Sequence, residues 1–166
     1  SFFYPLSAVG SHVSAVPNHQ TGRSVSLRTR GVVAMAGTFG YELDPGKLGE
    51  EEKKEIISLN ETYRKYEGLI REGDYYRLSD PFRDVCGAWL FVSGDGERAL
   101  LNVVMLEIHG NMPVCYVRLK GLKPEGLYQD VASGKCYYGS ALMEAGLPVP
   151  VEPGEYRAYQ IFLSMG

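Results

Sequence analysis

Two carboxylates close together in the sequence are the first residues with the chemistry for acid–base catalysis. Glu42 and Asp44 lie at the end of TFGYEL (38–43) and in the turn that follows it. On an extended strand they would share one face, roughly 7 Å apart, as a catalytic pair could. We favour a structural interpretation, in which Asp44 caps the turn before the next helix and Glu42 pairs with a neighbouring arginine.

The segment SAVGSHVSAVPNHQTGR (7–23) holds two histidines and several hydroxyl groups. His12 and His19 lack a third partner at a recognised metal-ligand spacing, so no metal is predicted. No G-x-S-x-G elbow surrounds the candidate nucleophiles Ser7, Ser11 and Ser14. The segment is nearly uncharged and has neither a helical nor a strand period, so we predict a long loop with a function or a partner.

Composition and cysteine usage narrow the class of protein. With 17 basic and 20 acidic residues, the chain is slightly acidic, which argues against a nucleic-acid partner. No apolar run approaches the roughly 20 residues of a membrane span. The three widely spaced cysteines, Cys86, Cys115 and Cys136, show neither zinc nor disulfide spacing and are expected as reduced thiols of a cytoplasmic protein. The apolar start SFFYP, without Met, suggests a piece of a longer chain.

The elements that would position these residues fall into two halves. The residue pattern of the first half predicts the end of a buried strand at SFFYP, a helix over 26–37, a strand over 38–43 and a helix over 48–72. The last helix shows the clearest periodicity, with apolar residues at 3, 4, 3, 4 spacing: Ile56, Leu59, Tyr63, Tyr66 and Ile70. Alternating strands and helices predict a parallel sheet or barrel.

The second half changes character after a predicted linker. Short runs rich in β-branched and aromatic residues follow one another between Gly, Pro and Asp turns, at 88–93, 98–108, 114–122, 126–132, 135–143 and 155–164. This spacing is typical of an antiparallel β-sandwich. Trp89 is expected in its core rather than as a platform for a sugar ring.

Several long strings carry a resemblance to a known family. YPLSAVGSHVSAVPNHQTGR, TRGVVAMAGTFGYELD, LGEEEKKEI and GDYYRLSDPF closely resemble the C-terminal part of bacterial α-galactosidases of glycoside hydrolase family 36. The resemblance implies a (β/α)8 TIM barrel followed by a C-terminal β-sandwich. It also implies hydrolysis of terminal α-galactosyl residues of melibiose and raffinose-type sugars, with retention and without a cofactor, in the bacterial cytoplasm.

On this resemblance the chain is an α+β composite. Residues 1–76 are the C-terminal end of the barrel, about strands seven and eight with their helices, 77–87 are a linker, and 88–166 are the sandwich. The family's nucleophile and acid/base motifs are absent and would lie upstream. Because a retaining glycosidase needs two carboxylates roughly 5 Å apart on different strand ends, the chain alone is expected to be inactive.

The resemblance also gives the segment 7–23 a role, as the loop after strand seven at the rim of the sugar pocket. Ser11, His12, Asn18 and Gln20 are proximity candidates there, with no substrate contact assigned. The implied partners are galactosides through the full-length enzyme, the remainder of the barrel, and further copies in a homo-oligomer.

Two alternatives stay open at this point. One is an α-N-acetylgalactosaminidase or a transglycosylating relative of the same family. The other is a carbohydrate-binding or interaction module, which an exposed row of aromatic side chains on one sheet face would favour. Its candidates are Tyr116, Tyr128, Tyr137 and Tyr138.

Overall fold

The computed structural model describes residues 4–150 and 152–166, so most of the strand predicted at SFFYP lies outside the described residues. The chain divides into two compact units, Ser1–Arg71 and Glu72–Gly166. The division falls five residues before the predicted border at 76/77. Among the described residues, no helix is both long and apolar enough to cross a membrane.

The first unit is built around two parallel strands. A 3₁₀ turn at Leu6–Ala8 leads into β1 (Gly10–Ser14), and α1 (Leu27–Ala34) connects it to β2 (Thr38–Glu42). A second 3₁₀ turn, Pro45–Lys47, precedes α2 (Glu50–Glu72). The strands β1 and β2 pair in parallel, and Ser14 is the register partner of Glu42.

β1 corrects the prediction of a loop throughout 7–23. The strand contains only one large apolar residue, Val13, which is fully buried, while Gly10 and His12 are exposed. Glycine, serine and histidine do not produce an alternation of apolar and polar residues, so the local sequence does not predict a strand there. It forms because β2, distant in sequence, supplies the partner for its backbone groups.

Local capping and packing explain the two helices. The Ser26 hydroxyl accepts a hydrogen bond from the Thr29 backbone N–H at 3.2 Å and thereby caps α1. Gly31 allows α1 to approach α2, since a Cβ at that position would lie 2.6 Å from Leu59. At the start of α2, the Glu52 side chain accepts from the Gly49 N–H at 3.0 Å. The helix predicted over 48–72 is thus confirmed as Glu50–Glu72.

The second unit is mostly antiparallel sheet. Its elements in chain order are β3 (Asp74–Arg77), β4 (Cys86–Val92), β5 (Arg98–Met105), β6 (Cys115–Val117), β7 (Leu127–Asp130), β8 (Cys136–Tyr138), α3 (Gly139–Glu144), β9 (Leu147–Val149) and β10 (Ala158–Met165). Six strands form one sheet in the order β3-β4-β5-β10-β7-β8, and β6 pairs with β9 in a second sheet.

Three expectations about this half were wrong in detail. The segment 74–76, assigned to the barrel, lies in β3 and pairs with β4, and the predicted linker 77–87 contains the ends of these two strands. The run 135–143 is not one strand, because the chain turns from β8 into α3 at Gly139, where a Cβ would lie 2.0 Å from a backbone oxygen. Trp89 is only half-buried.

The position of Trp89 follows from strand alternation. Ala88, Leu90 and Val92 belong to the core cluster of the second unit, so Trp89 lies on the opposite face of β4. Both sheets contribute to this core, which includes Leu101 and Leu163 from the larger sheet and Val117, Leu147 and Val149 from the smaller one. β5 is buried along nearly its whole length, as expected for a strand paired on both edges.

Candidate functional site

The carboxyl ends of β1 and β2 bring together two groups capable of acid–base chemistry. Because alternate residues of a strand point to the same side, His12 and Ser14 of β1 share a face with Gly40 and Glu42 of β2. On that face the His12 Nε2 lies 2.5 Å from a Glu42 carboxylate oxygen. The two side chains are 51% and 73% exposed, respectively, so the pair is open to solvent in this chain.

The opposite face of the two strands is covered by helix. The Phe39 ring lies 4.8 Å from that of Tyr63 on α2 and 5.2 Å from that of Tyr41. The Tyr41 hydroxyl donates to the Asn60 side-chain oxygen at 3.3 Å, and burial raises the pKa of Tyr41. The strands therefore have a helix-covered face and a bare face, and His12 and Glu42 occupy the bare one.

Space around the pair is open. A Cβ built on Gly10 or on Gly40, which lie on the same face, would meet no atom within 4 Å outside its immediate chain neighbours. Within the described part of the chain, no group of three or more His, Cys, Asp or Glu is arranged to hold a metal ion. The site offers one imidazole and one carboxylate, which together can hold or pass a proton.

Arg30 fixes the carboxyl end of β1. Its guanidinium donates to the backbone oxygen of Ser14 at 2.5 Å and to that of Val25 at 3.0 Å. Burial lowers the pKa of Arg30, and attraction to Glu52 and Glu55 opposes this shift. The end of the strand is thereby tied to the first turn of α1.

The two carboxylates considered from the sequence have separate roles. Asp44 accepts a hydrogen bond from the Gly46 N–H at 2.9 Å and starts the 3₁₀ turn, which confirms the predicted cap. Glu42 pairs with His12, so the predicted arginine partner was wrong. No local sequence pattern predicts this pair, because it depends on the parallel register of two strands that are far apart along the chain.

The four proximity candidates do not form one cluster. Ser11 lies on β1 beside His12 but points to the other face, as strand alternation requires. Asn18 shapes the following loop: its side-chain oxygen accepts from the N–H groups of Gln20 and Thr21, each at 3.0 Å. Gln20 is exposed on that loop. Only His12 is brought against a second ionisable side chain.

The four tyrosines of the second unit do not form a row on one sheet face. Tyr128 is fully buried and Tyr137 is half-buried. Tyr116 and Tyr138 are exposed, but they belong to different sheets. This arrangement gives no support to the carbohydrate-binding module.

Comparisons with known proteins cover nearly the whole chain. The family model "Melibiase" matches residues 1–73, and the model "Glycosyl hydrolase family 36 C-terminal domain" matches residues 87–163. The bifunctional α-galactosidase/sucrose kinase AgaSK of Mediterraneibacter gnavus is 58% identical over 96% of this chain, which is 17% of that protein.

Solved structures agree with the sequence comparisons. The galactosidase domain of AgaSK superposes with a TM-score of 0.96 at 56% identity, over 99% of this chain and 23% of that one. A variant of the α-galactosidase AgaA from Geobacillus stearothermophilus, solved with raffinose, gives a TM-score of 0.94 at 42% identity, over 98% and 23%. The chain thus spans about a fifth of its relatives, and it belongs to glycoside hydrolase family 36, corresponding to the C-terminal part of α-galactosidases of that family.

Proposed function

We propose that this chain is the C-terminal portion of a retaining α-galactosidase that hydrolyses terminal α-galactosyl residues of raffinose-type oligosaccharides. The observation that carries the proposal is the similarity along nearly the whole chain to α-galactosidases of which it spans only about a fifth. The raffinose complex of AgaA supports the substrate class.

The first unit would supply the last two strands of a (β/α)8 barrel. Parallel sheets occur almost only with both faces covered, yet β1 and β2 have helices on one face and a bare face on the other. In a (β/α)8 barrel the helices form an outer ring, and the face opposite them is the interior. A barrel completed by preceding strands would cover this bare face, and the antiparallel second unit would be the domain that follows.

The catalytic aspartates would lie in that preceding part. Residues 1–41 contain no carboxylate, and Glu42 is therefore the only one on β1 or β2. Retaining glycosidases use two carboxyl groups about 5–5.5 Å apart on opposite sides of the scissile bond. One carboxylate, already paired with His12, does not meet this requirement.

Residues at the carboxyl ends of barrel strands build the active-site face, so His12 and Glu42 would lie on the interior side of the pocket rim. Asn18 would hold the shape of the rim loop, with Ser11 and Gln20 near it. The partners would be galactosides and the rest of the barrel. Strand edges that no described strand covers support self-association, and the three unpaired thiols support a cytoplasmic location.

The purified chain provides the first test. We expect no hydrolysis of p-nitrophenyl α-galactoside above the rate without protein, because one carboxylate cannot act as both nucleophile and acid/base. Turnover that survives repurification and is abolished by Glu42→Gln or Asp44→Asn would contradict the proposal, since the catalytic groups would then lie within this chain.

A further inference from the structure

Two cysteines of the second unit face each other across its two sheets. Cys86 is the first residue of β4 in the six-stranded sheet, and Cys115 is the first residue of β6 in the smaller one. Their sulfur atoms are 3.8 Å apart. Cys86 is 5% exposed and Cys115 is half-buried, so a reagent from solvent reaches Cys115 first.

The contact between the two thiols makes them chemically unequal. The two thiols are hydrogen-bonded to each other, and this hydrogen bond lowers the pKa of Cys115 to about 7. The same hydrogen bond and burial raise the pKa of Cys86, while burial and the carboxylate of Asp84 oppose the shift at Cys115. The lowered pKa favours the thiolate form of Cys115, and thiolate is the form that attacks disulfides.

We propose that Cys86 and Cys115 are a modification site, at which a low-molecular-weight disulfide such as oxidised glutathione forms a reversible intramolecular disulfide. A disulfide needs the sulfurs to approach to about 2.05 Å, which is less than 2 Å closer than their present separation of 3.8 Å.

The reaction has two balanced exchange steps. The Cys115 thiolate attacks one sulfur of oxidised glutathione, forms a mixed disulfide and releases one glutathione thiolate. Cys86, whose proton passes to solvent, then attacks the Cys115 sulfur and releases the second glutathione thiolate. Two protein thiols are oxidised and one glutathione disulfide is reduced to two glutathione molecules. Excess reduced glutathione reverses both steps.

The bridge would add a covalent connection between the two sheets. It closes a loop between residues 29 apart in sequence, which restricts the unfolded chain more than the folded one. We therefore expect the disulfide to raise the thermal midpoint of the second unit by roughly 10 °C, and a reductant to reverse that increase.

The test uses the 166-residue chain, reduced and then incubated with oxidised glutathione at pH 7.5. Intact mass is expected to show the loss of two hydrogens, and peptide mapping without reductant is expected to join the peptides of Cys86 and Cys115. Cys136 is exposed, and no other described thiol lies in contact with it, so Cys136→Ser is the matched control and should still form the bridge.

Two further variants test the order of attack. Cys86→Ser should retain a stable glutathione adduct on Cys115, and Cys115→Ser should leave Cys86 unmodified. A variant in the core can fail to fold. The peptide map of the unsubstituted chain is therefore sufficient by itself to decide whether the disulfide between Cys86 and Cys115 forms. Glutathione found on Cys136 alone, with Cys86 and Cys115 still open to alkylation after unfolding, would overturn the proposal.

Discussion

Removing one buried hydroxyl, by Tyr128→Phe, tests how the second unit is held together. Tyr128 of β7 is fully buried, and its hydroxyl joins two turns that are distant in sequence. It donates to the Gly96 backbone oxygen at 2.5 Å and accepts from the Lys123 N–H at 2.8 Å. Phenylalanine keeps the ring and removes both hydrogen bonds, leaving a carbonyl and an N–H without this partner.

The magnitude follows from those two bonds. A net hydrogen bond is worth about 0.5–1.5 kcal/mol, and a buried group left unsatisfied costs about 1–3 kcal/mol. We expect Tyr128→Phe to lower the free energy of unfolding by about 2–3 kcal/mol, and so to lower the urea midpoint by about 1 M. Trp89, the only tryptophan, lies on β4 of the same unit, so its fluorescence reports this transition.

The matched control lies on the neighbouring strand. Tyr138 of β8 is 60% exposed, so Tyr138→Phe is expected to change the free energy of unfolding by less than about 0.5 kcal/mol. Equal effects of the two substitutions, or an effect of Tyr128→Phe below about 0.5 kcal/mol, would refute the role assigned to the buried hydroxyl.

Three further predictions follow from the described contacts. Gly139→Ala should destabilise the second unit by about 2–3 kcal/mol, because its Cβ would lie 2.0 Å from a backbone oxygen, whereas Gly87→Ala, with open space, should change stability by less than about 0.5 kcal/mol in the same urea titration. Arg30→Ala removes two hydrogen bonds to backbone oxygens and should accelerate hydrogen exchange in β1 and β2; unchanged exchange would contradict this. Alkylation of Cys115 should be slow below pH 7, where the thiol is protonated, and reach half its maximal rate near pH 7. Cys86→Ala should move that midpoint upward, and a midpoint that stays in place would exclude the thiol hydrogen bond as its cause.

Elements with a strong period were predictable from the sequence. The helix α2 shows a continuous apolar stripe, and the strands β4 and β5 are apolar runs separated by a Gly-Asp-Gly turn, so local pattern and final structure agree. The cap at Asp44 was predictable for the same reason, since it involves only neighbours in the chain.

Features that depend on distant residues were not predictable. β1 consists mainly of small and polar residues and is specified by its pairing with β2. The His12–Glu42 pair requires that same register, and the Cys86–Cys115 contact requires the packing of two sheets. A short run such as 135–143 also gives no periodic signal that separates a strand from a strand followed by a helix.

The most direct test of the proposed function is to supply the remainder of the proposed barrel. In a fusion protein, the chain would replace the corresponding segment of the AgaSK galactosidase domain. The control is the AgaSK galactosidase domain truncated before that segment. Hydrolysis of raffinose and of p-nitrophenyl α-galactoside would be measured for both proteins. We predict that the fusion hydrolyses both substrates and that the truncated domain hydrolyses neither. A fusion that folds, with β1 and β2 protected from hydrogen exchange, yet has no activity would contradict the assignment of this chain to the α-galactosidase barrel.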